Sequence, residues 1–120
     1  MDISKLGKGA LTKPVVLKDF RLEAIPTATI LPKNFEIIYG GRIKSQNGSG
    51  SCVPQACSYY AEVLNFKETG QWISLSPKFV YSQTHQNPMG SYIKDAMGCI
   101  RSKGICEESL CPSYMQTPNG

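Results

Sequence analysis

The sequence predicts an α+β, mainly helical domain preceded by an extended N-terminal arm. Three observations carry that expectation. Pro14, Pro26 and Pro32 break every helical window before residue 35. A glycine-rich loop, residues 45–51, ends abruptly at a glycine-free stretch from Cys52 to Phe66. Two further capped helical segments follow, and a glycine closes the second.

Residues 1–35 form the predicted arm. β-branched residues (Val15, Val16, Thr27, Thr29, Ile30) dominate between its prolines, which favours extended chain wrapped over a surface. The domain proper is assigned to residues 36–120. It opens with a short predicted strand, Phe35 to Tyr39, closed by Gly40-Gly41. The first helix begins at Cys52 with Ser51 as N-cap and Pro54 in the first turn, where proline is tolerated. Ala56, Tyr60, Val63 and Leu64 recur at helical spacing. Ser76 then caps a second helix with Pro77 at its first position. A third runs from about Ser91 to Lys103, with Ile93, Ala96, Met97 and Ile100 as its apolar stripe and Gly104 as its stop. His85 to Gly90 reads as a loop, and Thr117 to Gly120 as a frayed end.

Composition narrows the function classes. Apolar residues make up 41% of the chain and charged residues 18%, which suits a packed domain rather than a disordered one. The apolar runs are a few residues long, far short of the roughly 20 that a membrane helix needs. Met1 to Lys8 carries charge with no apolar stretch behind it, so no signal peptide is expected and the expected location is cytoplasmic or virion-associated. The net charge of +4 comes from residues 1–50, but the basic residues are scattered among acids without interleaved aromatics. That pattern argues against a nucleic-acid partner.

Five cysteines, an odd number, disfavour a disulfide-stapled scaffold. Their separations of 5, 42, 7 and 5 contain no C-x-x-C pair, and the one histidine, His85, has no partner at ligand spacing. No metal site and no cofactor is expected.

Cys52 is the candidate for chemistry. A thiol reacts as its thiolate, and the unpaired N–H groups at a helix N-terminus favour that anion. The preceding loop lets a substrate backbone approach, because Gly50 has no side chain to obstruct it. Acyl transfer needs donors for the developing oxyanion; the Cys52 N–H is one, and the Gln46 amide, six residues upstream, is another. The competing reading is a cysteine that serves as a small buried hydrophobe at a helix start.

Several segments, in order, bear a resemblance to a known family. Gln46-Asn47-Gly48-Ser49-Gly50-Ser51-Cys52 resembles the Q-G-x-x-G-S-C signature of papain-like cysteine peptidases. Leu75 to Tyr81 is similar to the L-S-P-x-F-x-Y segment that opens that domain's second helix in microbial and viral members. Gly90 to Ala96 and Lys103 to Pro112 resemble the third helix and the G-[IV]-C-x-E-x-x-x-P turn after it. Asp19-Phe20-Arg21 and Leu31 to Phe35 resemble the lead-in to the mature domain.

The resemblance implies the left-hand, helical half of a papain-like fold. It places Cys52 as nucleophile and Gln46 in the oxyanion hole, with Gly50, Gly90 and Ser91 along the path of a peptide or protein substrate. Ser91 stands where the family has glycine, Ser49 replaces the first Cys of C-G-[SA]-C-[WY], and Val53 replaces its aromatic residue. Cys57 and Cys99 read as core. The family's His and Asn lie roughly 130–150 residues past the nucleophile, beyond Gly120. This half is therefore expected to be inactive alone and to need the remainder of a peptidase or a partner chain. Two rival expectations are a non-catalytic assembly protein, such as a phage or viral particle component, and a transglutaminase- or amidase-like thiol enzyme.

Overall fold

A computed structural model describes residues 9–14, 16, 18, 30, 32–37, 40–41, 43–46 and 48–113. Five elements run in the order β1 (Ala10–Leu11), α1 (Cys52–Thr69), α2 (Pro77–Thr84), β2 (Ser91–Tyr92) and α3 (Ile93–Lys103). The three helices pack on one another in every pairing. β1 and β2 form a two-stranded parallel ladder, Ala10 opposite Ser91 and Leu11 opposite Tyr92. This small, mainly helical α+β architecture is the class that the sequence predicts.

Local chemistry explains the helix boundaries. α1 starts at Cys52, where Gln55 N–H donates to Ser51 O at 2.9 Å. It stops at Gly70, which takes φ 74° and closes on Phe66 O at 2.8 Å. The helix thus runs three residues past the predicted Phe66, as nothing breaks it before Gly70. Ser76 caps α2 by accepting from Phe79 N–H at 3.1 Å, and Pro77 stands at its first position. α3 begins at Ile93 rather than Ser91, since Ser91 is taken into β2. Gly104 ends it at φ 82°.

Two expectations about faces are corrected. The core is Val53, Cys57, Val80 and Ala96, with Phe79, Ile100 and Ile105 packed against it. Ala56, Tyr60 and Leu64 of the predicted α1 stripe are exposed instead, as are Ile93 and Met97 of the α3 stripe. The buried side of α1 carries Gln55, Ser58 and Glu62, which apolar periodicity does not detect. The predicted strand at residues 35–39 is absent from Phe35 to Ile37, which are exposed and irregular. Ile38 and Tyr39 lie outside the described residues, as do Asp19-Phe20-Arg21, Leu31 and the predicted frayed end.

A buried polar knot joins the parts. The side chain of Lys44 is 8% exposed and that of Glu62 is 2% exposed, and they form an ion pair. Lys44 Nζ also donates to Leu75 O at 2.9 Å, while Glu62 Oε1 accepts from Leu75 N–H at 2.8 Å. The Lys44 N–H bonds the Tyr59 hydroxyl. One further turn closes beside it. Leu75 bridges to Glu107, Ser76 N–H donates to Cys106 O at 2.9 Å, and Ser76 Oγ donates to Cys111 O at 2.5 Å.

Removing one member of a buried pair strands the other charge, at a cost of about 3–5 kcal/mol. Lys44→Met is therefore expected to lower unfolding free energy by about that much in urea titration. Adding Glu62→Leu should recover most of the loss, because the stranded carboxylate is then gone.

Candidate active site

Cys52 is the first residue of α1, half-buried, on a loop that is locked by its own bonds. Ser49 N–H donates to Gln46 O at 2.9 Å, and Ser49 Oγ donates to the same oxygen at 2.6 Å. Ser49 Oγ and Ser51 Oγ are 2.7 Å apart, both fully buried. Ser51 keeps the N-cap position that the sequence predicts, but its hydroxyl serves this loop bond and makes no cap bond. Gly48 turns the loop at φ 76°, a conformation that L side chains rarely adopt. Gln46 Nε2 donates to Ser49 O at 2.7 Å, so the amide expected at an oxyanion hole is bonded to the loop that leads to Cys52.

Gly50 docks this loop on the α2–α3 connection. A Cβ added there would lie 2.8 Å from Gly90 N and 2.9 Å from the Tyr81 hydroxyl. Tyr81 is fully buried, and its hydroxyl accepts from Gly90 N–H at 3.2 Å. Gly90 itself takes φ 107°. Ser91 turns its hydroxyl inward to Thr84 Oγ1 at 2.9 Å and is fully buried. Its backbone N–H donates to Gly9 O at 2.7 Å.

The predicted residues Cys52, Gly50, Gly90 and Ser91 thus meet around one edge, and Gln46 anchors the loop behind it. Tyr81, Thr84 and Gly9 belong to the same assembly and carry no motif of their own. Tyr81 is the tyrosine that ends L-S-P-x-F-x-Y, so a signal existed for it; Gly9 had none. An apolar groove of about 550 Å³ opens beside the sulfur. Its walls are Cys52, Ala56 and Tyr60 of α1, Ile93 and Met97 of α3, and Ala10 of β1.

The other cysteines are free thiols. Cys57 and Cys99 are buried, in keeping with a core role. His85 is exposed at the end of α2 and meets the Tyr81 ring edge-on at 5.8 Å between centroids. Among the described residues no three His, Cys, Asp or Glu side chains converge on a metal position, and no helix is long and apolar enough to cross a membrane. Comparisons with models of protein families, with curated proteins and with solved structures find no match for this chain.

Two tests follow from this geometry. Gly50→Ala forces a methyl group against backbone and is expected to cost about 1–3 kcal/mol, with faster hydrogen exchange at the Gly90 amide. Burial pushes the Cys57 thiol above its ordinary 9.0. Below that pH folded and unfolded chains both hold the proton and the shift costs nothing. Above it the unfolded chain loses its proton first, so stability falls as pH rises. Denaturant midpoints above pH 9 should therefore drop more steeply in the native protein than in Cys57→Ala.

Proposed function

We infer that this chain is the nucleophile-bearing, helical half of a papain-like cysteine peptidase, with Cys52 attacking peptide carbonyls. The observation that carries this reading is the placement of Cys52. Its sulfur sits at the first residue of an 18-residue helix, after a glycine-containing loop and at the mouth of an apolar groove. First-turn N–H groups there have no intrahelical acceptor, which suits them to a developing negative charge.

The chemistry runs as acyl transfer. The Cys52 thiolate attacks the carbonyl carbon and a C–S bond forms, with the oxyanion taken by the Cys52 backbone N–H and an amide donor. Collapse breaks the C–N bond, and the amine leaves with a proton from an imidazole. Water then attacks the thioester, releasing the acid and regenerating the thiol. That imidazole comes from the other half of the peptidase or from a partner chain. The exposed Ala56, Tyr60, Ile93 and Met97 surround Cys52 with the apolar surface such a half would cover. No cofactor enters the scheme.

The test is covalent. Protein from its native source is treated with a peptidyl epoxide and mapped by peptide mass spectrometry. The adduct is expected on Cys52 in preference to the other four cysteines, and Cys52→Ala should abolish both adduct and proteolysis while leaving assembly intact. Equal labelling of the half-buried Cys52, Cys106 and Cys111, or none, rejects the peptidase and favours a scaffold that keeps the half-fold alone.

A further inference from the structure

We propose that Cys106 and Cys111 close to a reversible disulfide that staples the turn on which α2 starts. The inference is independent of the peptidase reading, because it uses neither Cys52 nor the groove beside it. The two cysteines stand at the ends of one turn. Leu110 N–H donates to Glu107 O at 3.0 Å, which closes residues 107–110 and leaves Cys106 and Cys111 flanking them. Ser76 then holds both flanks. Its N–H donates to Cys106 O at 2.9 Å and its Oγ donates to Cys111 O at 2.5 Å. One serine that reaches both backbones makes them near neighbours, as a bridge requires, since its Cα atoms lie roughly 4.4–6.8 Å apart. The thiols are neighbours too. Burial first, and then the charge and hydrogen bond of Cys111, push the Cys106 thiol above its ordinary 9.0.

The pair is open to solvent reagents where the core cysteines are not. Cys106 and Cys111 are half-buried free thiols, and Glu107, Ser109 and Leu110 on the turn between them are exposed. Cys57 and Cys99 are buried. The oxidant is a low-molecular-weight disulfide such as glutathione disulfide. The thiolate of one cysteine attacks it, the small S–S bond breaks, and one small thiol leaves with a proton from solution. The second cysteine attacks the resulting mixed disulfide, which forms the Cys106–Cys111 bond and releases the second small thiol. Two protein thiols are oxidised and one small disulfide is reduced. Strongly oxidising protein disulfides depend on a stabilised thiolate in their reduced form. Cys106 has the reverse setting, so its pair favours the bridge.

The consequence lies in what the turn holds. Leu75 bridges to Glu107, and Glu108 N–H donates to Ser74 O at 2.8 Å. Ser76, bonded to both cysteine carbonyls, also caps α2 through Phe79 N–H. Ser113 N–H donates to Glu108 Oε1 at 2.7 Å and closes the far side. A covalent link from 106 to 111 restricts this segment in the unfolded chain and so stabilises the seat of α2. It consumes two of the five cysteines and leaves Cys52 a thiol.

The experiment holds the whole chain in glutathione buffers from reduced to oxidised, blocks free thiols with N-ethylmaleimide and maps tryptic peptides without reductant. The peptide that begins at Gly104 is expected to lose both blocking sites together and to become lighter by two hydrogens, while Cys57 and Cys99 stay reduced. Closure within the chain should outrun capture of a second glutathione by roughly tenfold or more. Cys111→Ser is expected to stop at a glutathione adduct on Cys106. The bridged protein should show a higher urea midpoint than the reduced one and roughly tenfold slower hydrogen exchange at the Ser76 amide. Cys111→Ser should show neither change in the same buffers; if that variant fails to fold, the native redox series decides. Separate adducts on Cys106 and Cys111, a bridge from either to Cys52, or thiols still free in the oxidised buffer overturn the pair. A bridge that leaves the midpoint and Ser76 exchange unchanged overturns the staple. The peptidyl epoxide reads a different sulfur, so either proposal can fail while the other stands.

Discussion

The fold depends on a charge that has no water to go to. Glu62 lies on the inner face of α1, 1% exposed, and its carboxylate is satisfied by Lys44 and by the Leu75 N–H. Lys44 lies two residues before Gln46, so the pair fixes where the loop leading to Cys52 begins. Leu75 lies one residue before the cap of α2, so the same carboxylate fixes where the second helix begins. An apolar residue at position 62 could fill the space, but it would not dictate that two separate backbone segments converge there. Buried polar groups of this kind specify position more than they add stability.

From that knot the order spreads through contacts that only small residues allow. Gly50 brings the nucleophile loop within reach of Gly90 N and the Tyr81 hydroxyl, and Tyr81 is held between α2 and the loop it supports. Ser91 turns its hydroxyl inward to Thr84 Oγ1 while its backbone N–H bonds Gly9 O, so one buried residue ties α2 to the N-terminal segment. The Ser49 hydroxyl likewise ties Gln46 O to Ser51 Oγ and holds the loop without a covalent bridge.

Much of this was legible before the structure. Ser76-Pro77, Gly104 and the change at Cys52 each act within a few residues, and each marks a true helix boundary. The nearness of Gly50 to Gly90 could not be read from spacing, because the two lie 40 residues apart and only the packing of the loop on the α2–α3 connection brings them together. Burial was harder to read. Ala56, Tyr60, Ile93 and Met97 have the spacing of core residues yet line an open groove, since periodicity marks an apolar face and not the thing that covers it. Glu62 and Gln55 were invisible for the opposite reason: a polar letter on a helix reads as solvent-facing unless its partner is known. The strand at β1 was hidden because two residues carry no alternation, and Phe35 to Ile37 misled because aromatic and β-branched residues fit extended loops as readily as ladders.

The misread apolar stripes bear on the site. An apolar surface is favourable only when covered, and of the residues misread as core Ala56, Tyr60, Ile93 and Met97 line the groove beside Cys52. Tyr60 is 53% exposed and Ile93 60%. The chain covers part of this surface with its own arm, where Ala10 completes the groove wall and Gly9 meets the sulfur. The rest stays open. On the proposed peptidase reading Cys52 needs a base, and the single histidine of the sequence meets the Tyr81 ring. Among the described residues the apolar face beside Cys52 is open, so on that reading one partner surface carrying an imidazole would supply both a hydrophobic cover and a proton acceptor.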